Sequence, residues 1–478
     1  MIQQKTFCAI DLGASSGRVI LGRISKERIE YEEIHRFGND PISRDVGIYW
    51  DIDSLKANVF EGLSKLVGEN ILSIGVDAWA VDYGLIDQDG NLTREPRHYR
   101  DARNLRGVSI VETKISSSDL YKKVGLQFLP FNTLYQFSVD QTEELSLLNK
   151  SHKALLIPDL FNFWLSGVQL TERTNASTTG LLDPVRNSWN IELIEKLNLQ
   201  TRLLTDVVAE GTYLGRITPE VQEKTGLDPS TQVVTVGSHD TASAFVAVPS
   251  TQPNSLFISS GTWSLLGVEL EQPILTEAAR VANFTNEGGV DGRIRFLKNV
   301  TGLWLLQECS RKWRQSGKTY RLQELIDGAS RIARTSVIDV NNQKFLAPGD
   351  IPQRIREACK ASSQSVPQTE PEIARVIFDS LVAKYVDVIS ELESLTGNKI
   401  ERIHIVGGGS QNELLNQLIA NETGLEVFAG PVEATAIGNL VIQARAAGVI
   451  KGTLEDIRRL IAKSFEIKKF SPITTGAK

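Results

Sequence analysis

The segment Asp11-Leu12-Gly13-Ala14-Ser15-Ser16-Gly17-Arg18 places an acidic side chain at the end of an apolar run, then a turn of small residues with two hydroxyls. Such a turn lets backbone N–H groups and hydroxyls approach phosphate oxygens closely, and Arg18 supplies positive charge. Asp11 repels phosphate, so its use in such a site is to hold Mg²⁺ through water. The Gly-Lys-Ser/Thr ending of a Walker A loop is missing. A polar β-turn in an ordinary hairpin is the competing reading.

A second group is Gly237-Ser238-His239-Asp240-Thr241-Ala242-Ser243-Ala244, delivered by the apolar run 233–236 into the start of a helix rich in small residues. A carboxylate there that accepts a hydroxyl proton makes the oxygen a better nucleophile as its bond to phosphorus develops. The alternative is that Asp240 caps the helix and His239 satisfies a core hydrogen bond. Contiguous Ser238, His239 and Asp240 cannot face one another as a hydrolase triad.

Ser259-Ser260-Gly261-Thr262-Trp263-Ser264 is another hydroxyl-rich turn, where Thr262 can bind a phosphate oxygen or a metal-bound water. Gly407-Gly408-Gly409-Ser410 follows an apolar strand and opens a helix, leaving bare backbone for a base or phosphate. The stretch from Gly430 to Asn439 reads as a helix packed closely on the nucleotide domain. For a sugar, the candidates lie in Asp77-Ala78-Trp79-Ala80-Val81-Asp82, in Tyr99–Arg103, in Gln127-Phe128 and at Asn299. Trp79 offers a face for stacking, and Asp82 or Asn299 a partner for hydroxyls.

The elements that must position these groups alternate between short β-rich runs and helical patterns, which points to an α/β protein. Strand–turn patterns recur at 7–24, 71–92 and 255–270, and a strand–glycine loop–helix at 402–424; Asp87–Asn91 is expected to be a hairpin turn. The first and third share an architecture half a chain apart, either an internal duplication or two unrelated hairpins. A helix is predicted from Glu370 to Leu395, capped by Thr369 with Glu372, carrying Pro371 in its first turn and stopped by Gly397. Residues 345–370, rich in Pro, Ser, Gln and charge, read as an exposed connection.

A chain of 478 residues suggests two large domains. A net charge of −6 argues against a nucleic-acid surface. No run approaches the ~18 apolar residues of a membrane span, and no secretory leader is recognisable, so a cytoplasmic location without membrane partners is expected. Cys8, Cys309 and Cys359 are read as small buried side chains.

In this order the motifs resemble the FGGY carbohydrate kinases, over nearly the whole chain. The strings are DLGASSGR at 11–18, YRDAR at 99–103, FLPFNTLYQ at 128–136, SHDTASA at 238–244, SSGTWSL at 259–265, TNEGG at 285–289, GLWLLQ at 302–307 and GPVEA at 430–434. They are most similar to the branch that acts on L-rhamnulose; most of the family has a Gly-Thr pair in the first loop. The resemblance implies two actin-like (ribonuclease H-like) domains flanking a catalytic cleft, 1–245 mainly sugar-binding and 246–478 mainly nucleotide-binding. It implies ATP and Mg²⁺ as cofactors, with Ala14, Ser15, Ser16, Gly17, Arg18, Thr262, Gln307 and Gly408 binding ATP. It implies that His239, Asp240, Thr241 and Asn299 hold the sugar, with Asp240 as general base. The expected reaction converts L-rhamnulose to L-rhamnulose 1-phosphate in a monomer or homodimer. Fuculose or xylulose, or a sugar sensor without chemistry, are the alternatives. The chain departs from the family pattern at Ala80, where relatives have a substrate-facing Gly, and at Ile419 and Thr423, where some have cysteines.

Overall fold

The computed structural model describes residues 4–345 and 347–473. The chain forms two compact units: Met1–Pro249 with Glu269–Phe296 and Ala434–Ser464, and Ser250–Val268 with Leu297–Glu433 and Phe465–Lys478.

The first unit is built on a six-stranded sheet in the order Tyr213–Arg216, Gln232–Val234, Ile71–Ala78, Lys5–Leu12, Ser16–Ile24, Ile29–Gly38. The strand Lys5–Leu12 is nearly continuous in apolar residues, and Phe7, Cys8, Ala9, Ile10 and Leu12 are wholly buried, as expected of a strand covered on both faces. It pairs antiparallel with Ser16–Ile24 and parallel with Ile71–Ala78. The second unit repeats this arrangement. Its strand Ser255–Ser260 pairs antiparallel with Trp263–Leu270 and parallel with Arg402–Val406, which in turn pairs parallel with Glu426–Ala429. A hairpin with a parallel third strand beside its first therefore occurs in both halves, in line with a duplication.

The long helix runs Glu370–Thr396, with the Thr369–Glu372 capping box and Gly397 in the left-handed conformation, φ 72°. The turn at 87–91 is also as expected: Asp87 N–H donates to Asn91 O at 2.9 Å, between the antiparallel strands Tyr83–Ile86 and Leu92–Arg94.

Two expectations are corrected. Residues 345–370 are not simply an exposed connection, because the helix Ile351–Ala361 lies there with Asp350 at its cap. Ile351, Ile355 and Cys359 are buried at four-residue spacing, a pattern masked by the polar residues around them. The segment after Gly430 forms the helix Ala434–Ala446, which belongs to the first unit and not to the one that holds most of residues 246–478. It packs against the helix Asp240–Val246 so closely that a Cβ on Gly438 would lie 1.9 Å from Ser243 O. All three cysteines are free and buried.

Candidate active site

Asp11 ends its strand buried, opposite Arg18 across the hairpin, with Arg18 Nη2 3.5 Å from Asp11 Oδ2. The turn between them is closed by Gly13 N–H donating to Ser16 O at 2.9 Å. Asn39 braces it from outside, its N–H donating to Ser15 O at 3.2 Å and its amide to Gly13 O at 2.8 Å. Ser15 is exposed, while Ala14 and Ser16 are half-buried. Gly17 is buried against Phe37, where a Cβ would meet the ring at 2.2 Å, so packing alone demands glycine there.

On the neighbouring parallel strand Asp77 is the register partner of Asp11 and is wholly buried. Asn439 donates to its Oδ2 at 2.6 Å, and its Oδ1 has no hydrogen-bond partner among the described residues. Burial, and then the charge of Asp11, push the Asp77 carboxyl well above the usual carboxylate range. Two hard oxygen donors side by side, one with an unused oxygen, fit a hydrated Mg²⁺, which is held through one or two carboxylates. No cluster of three or more metal-ligating side chains occurs among the described residues.

Ala78 N–H donates to Ser238 O at 2.9 Å, and Ala78 bridges His239, so the Ser-His-Asp segment is laid along the end of the same strand. Buried Glu172 anchors the segment, accepting from Ser238 N–H at 3.1 Å and Ser238 Oγ at 2.7 Å. Asp240 is the first residue of the helix Asp240–Val246, which has His239 at its cap position and no side-chain cap. The capping reading of Asp240 therefore does not hold. Its side chain is 29% exposed, the open member of a buried polar group, and Thr241 Oγ1 donates to its Oδ1 at 3.0 Å.

His239 is buried, with Nε2 3.4 Å from Asp240 Oδ1. Its Nδ1 lies 3.0 Å from Arg295 Nη2 and 3.3 Å from Glu287 Oε2. Burial lowers the pKa of Arg295, with the charges of Glu287 and Asp240 acting against it. Glu287 lies in the string TNEGG but has no role assigned from the sequence, and Arg295 is not marked there at all. The available signal was an arginine among the apolar residues Ile294, Phe296 and Leu297 of the strand Ile294–Thr301.

Trp79 and Asp82 do not present free surface to a sugar. Asp82 Oδ2 accepts from Trp50 Nε1 at 2.6 Å, Trp79 Nε1 at 3.1 Å and Tyr99 N–H at 3.1 Å, while Oδ1 accepts from Gln136 at 2.8 Å. Both residues are buried, and the Trp79 ring lies 4.0 Å from that of Trp50. Burial raises the Asp82 carboxyl to about 7 against these donors. Ala80 is half-buried against this core, and Val81 beside it has φ 71°, rare for a β-branched residue. Arg103 is buried and ion-paired with Asp140, a structural placement. Gln127 is buried and Phe128 half exposed.

In the second unit Thr262, Gln307 and Gly408 lie at one end of the sheet. Trp304 N–H donates to Thr262 O at 3.2 Å, seating the start of the helix Trp304–Gln315 on the turn, and Thr262 Oγ1 donates to Gln307 Oε1 at 3.3 Å. The glycine loop follows the adjacent strand. A Cβ on Gly407, which has φ 84°, would lie 2.9 Å from Ser260 O, and one on Gly409 2.0 Å from Ser260 Oγ. A Cβ on Gly408 would meet nothing within 4 Å. The outer two glycines thus serve the packing, and the middle one faces open space. Asn299 is half-buried on the strand Ile294–Thr301.

Comparison with known proteins bears on both units. The model of the FGGY family of carbohydrate kinases, N-terminal domain, matches residues 6–247, and that of the C-terminal domain matches residues 256–447. The chain is 40% identical over 473 residues to a protein named rhamnulokinase from Oceanobacillus iheyensis, covering 98% of this chain and 99% of that one. A rhamnulokinase of Bacteroides thetaiotaomicron is 41% identical over 472 residues, covering 98% and 96%. Among solved structures, gluconate kinase from Lactobacillus acidophilus superposes with TM-score 0.79 at 17% identity, covering 98% of this chain and 94% of that one. Xylulose kinase from the same organism gives 0.79 at 16% identity, with the same coverage. The fold is thus the two-domain actin-like, ribonuclease H-like α/β fold of sugar kinases.

Proposed function

The chain belongs to the FGGY family of carbohydrate kinases, and from that premise we propose that it transfers the γ-phosphate of ATP to L-rhamnulose, giving L-rhamnulose 1-phosphate. The substrate assignment is supported by full-length similarity near 40% to several proteins named rhamnulokinase. For the chemistry, the observation that carries the reading is the partly open carboxylate of Asp240 beside buried His239. The hydroxyl oxygen on C1 of the ketose attacks the γ-phosphorus, and the bond from phosphorus to the β–γ bridging oxygen breaks. ADP leaves with that electron pair, and the hydroxyl proton passes to Asp240.

In this proposal the turn from Ala14 to Arg18, with Thr262, Gln307 and Gly408, holds the nucleotide. His239, Asp240, Thr241 and Asn299 hold the sugar, near Ala80. Asp11, with Asp77 beside it, would hold Mg²⁺ through water; the ion neutralises phosphate charge when bound. No described helix is long and apolar enough to cross a membrane. We place the enzyme in the cytoplasm as a monomer or homodimer, and sedimentation would read the oligomeric state.

The decisive experiment supplies ATP with L-rhamnulose, fuculose or xylulose and measures ADP release, with ³¹P NMR to identify the product. L-Rhamnulose is expected to give the highest kcat/KM. Faster turnover of another ketose would reassign the substrate, and no ADP release with any of them would defeat the kinase reading.

A further inference from the structure

We infer that Arg295 holds His239 as the tautomer protonated on Nε2, making Arg295 a positioning residue for the proton transfer to Asp240. The role in turnover rests on the proposed function; the tautomer itself does not.

A guanidinium has only N–H donors and keeps its proton in proteins. Arg295 Nη2 lies 3.0 Å from His239 Nδ1, so this contact is a hydrogen bond only if Nδ1 offers a lone pair. A neutral ring then carries its hydrogen on Nε2. The competing partner is Glu287, whose Oε2 lies 3.3 Å from the same Nδ1 and would draw a proton there. Arg295 is the nearer of the two and already faces that carboxylate, with Nη2 3.2 Å from Glu287 Oε2. A proton on Nδ1 would point at a cation with no lone pair to receive it.

Arg295 cannot readily turn away. It is wholly buried, its Nε donates to Gly288 O at 2.9 Å, and its guanidinium lies 5.8 Å from the centre of the Phe245 ring. Burial acts against its charge, and the carboxylates of Glu287, Asp240, Glu172 and Glu269 act to keep it.

The consequence falls on Asp240. With Nδ1 occupied, the ring turns an N–H towards Asp240 Oδ1, 3.4 Å from Nε2, which steadies the carboxylate while leaving it able to accept a proton. In the reverse tautomer a lone pair would face that carboxylate and repel it. An imidazolium would pair with Asp240 and weaken it as a base.

The test reads the ring nitrogens by ¹⁵N NMR in the full-length protein, labelled at its five histidines, with His239→Gln used for assignment. At neutral pH the His239 spectrum is expected to show an unprotonated Nδ1 and a protonated Nε2; a protonated Nδ1, in either neutral or cationic ring, would overturn the inference. Glu287→Gln should leave this pattern in place, whereas Arg295→Gln should move the proton to Nδ1. Because Arg295→Gln removes a cation from beside buried Glu287, Arg295→Gln/Glu287→Gln provides a neutral pair for the same kinetic measurement. In whichever variant folds, kcat with L-rhamnulose should fall on the order of 10²-fold, as for a misaligned catalytic group, with KM for ATP little changed. Unchanged kcat would overturn the positioning role. A wild-type protein inactive on every ketose, yet with the expected tautomer, would instead refute the kinase reading on which that role rests.

Discussion

Asn439 donates a hydrogen bond of 2.6 Å to Asp77 Oδ2, joining a helix near the end of the chain to a strand 362 residues earlier. The contact is part of a buried ladder. Gln443 Nε2 donates to Asn439 Oδ1 at 2.7 Å and to Cys8 O at 2.9 Å, and Ser73 Oγ donates to Gln443 Oε1 at 2.7 Å. The late helix is thereby fastened to the two central strands whose ends carry Asp11 and Asp77.

Removing the donor should expose the cost of that buried carboxyl. Asn439→Ala is expected to lower stability by about 1–3 kcal/mol, the usual effect of leaving a buried acceptor unsatisfied. Urea unfolding would measure it; an unchanged midpoint would mean that Asp77 finds another partner.

Asp82 should make stability depend on pH. Its carboxyl is ordinarily near 3.8 and is raised by burial to about 7, so between these values the folded protein keeps a proton that the unfolded chain has released. Its contribution is fully present below about pH 4 and is lost as pH rises through 7. Stability should therefore drop between pH 5 and pH 8 more steeply in wild type than in Asp82→Asn, by roughly 2–4 kcal/mol. Parallel unfolding curves for the two proteins would rule this out.

The glycine loop separates two roles. Gly408→Val adds bulk in open space, so KM for ATP should rise severalfold with the melting temperature nearly unchanged. Gly407→Ala forces a Cβ against Ser260 O at φ 84° and should instead destabilise the fold by at least about 1 kcal/mol. Calorimetry alongside kinetics distinguishes them, and the reverse pattern would place the nucleotide elsewhere.

The proposed base has its own signature. Asp240→Asn should cut kcat by roughly 10²–10⁴-fold while leaving ATP binding close to wild type. Turnover within a few-fold of wild type would remove Asp240 from the mechanism.

What the sequence by itself determined was local. The order of the motifs, the turn after Asp11, the strand that leads to Asp240 and the two caps of the helix Glu370–Thr396 are each written within a few neighbouring residues, because turns and caps are closed by short-range hydrogen bonds. Tertiary structure decided which of the polar residues stay open. Trp79 and Asp82 read from the sequence as candidates for a sugar site, but Trp50, Tyr99 and Gln136 occupy the Asp82 carboxylate from distant segments. Arg295 looked like an ordinary strand residue, and Glu287, though inside the string TNEGG, had no assigned role until folding brought both within 3.3 Å of His239 Nδ1. The helix Ala434–Ala446 was legible as a helix but not as part of the first unit, since periodicity reports a buried face and not the sheet that buries it. Burial and hydrogen-bond partners across tens to hundreds of residues are properties of packing, and they separate the open carboxylate of Asp240 from that of Asp82 in the core.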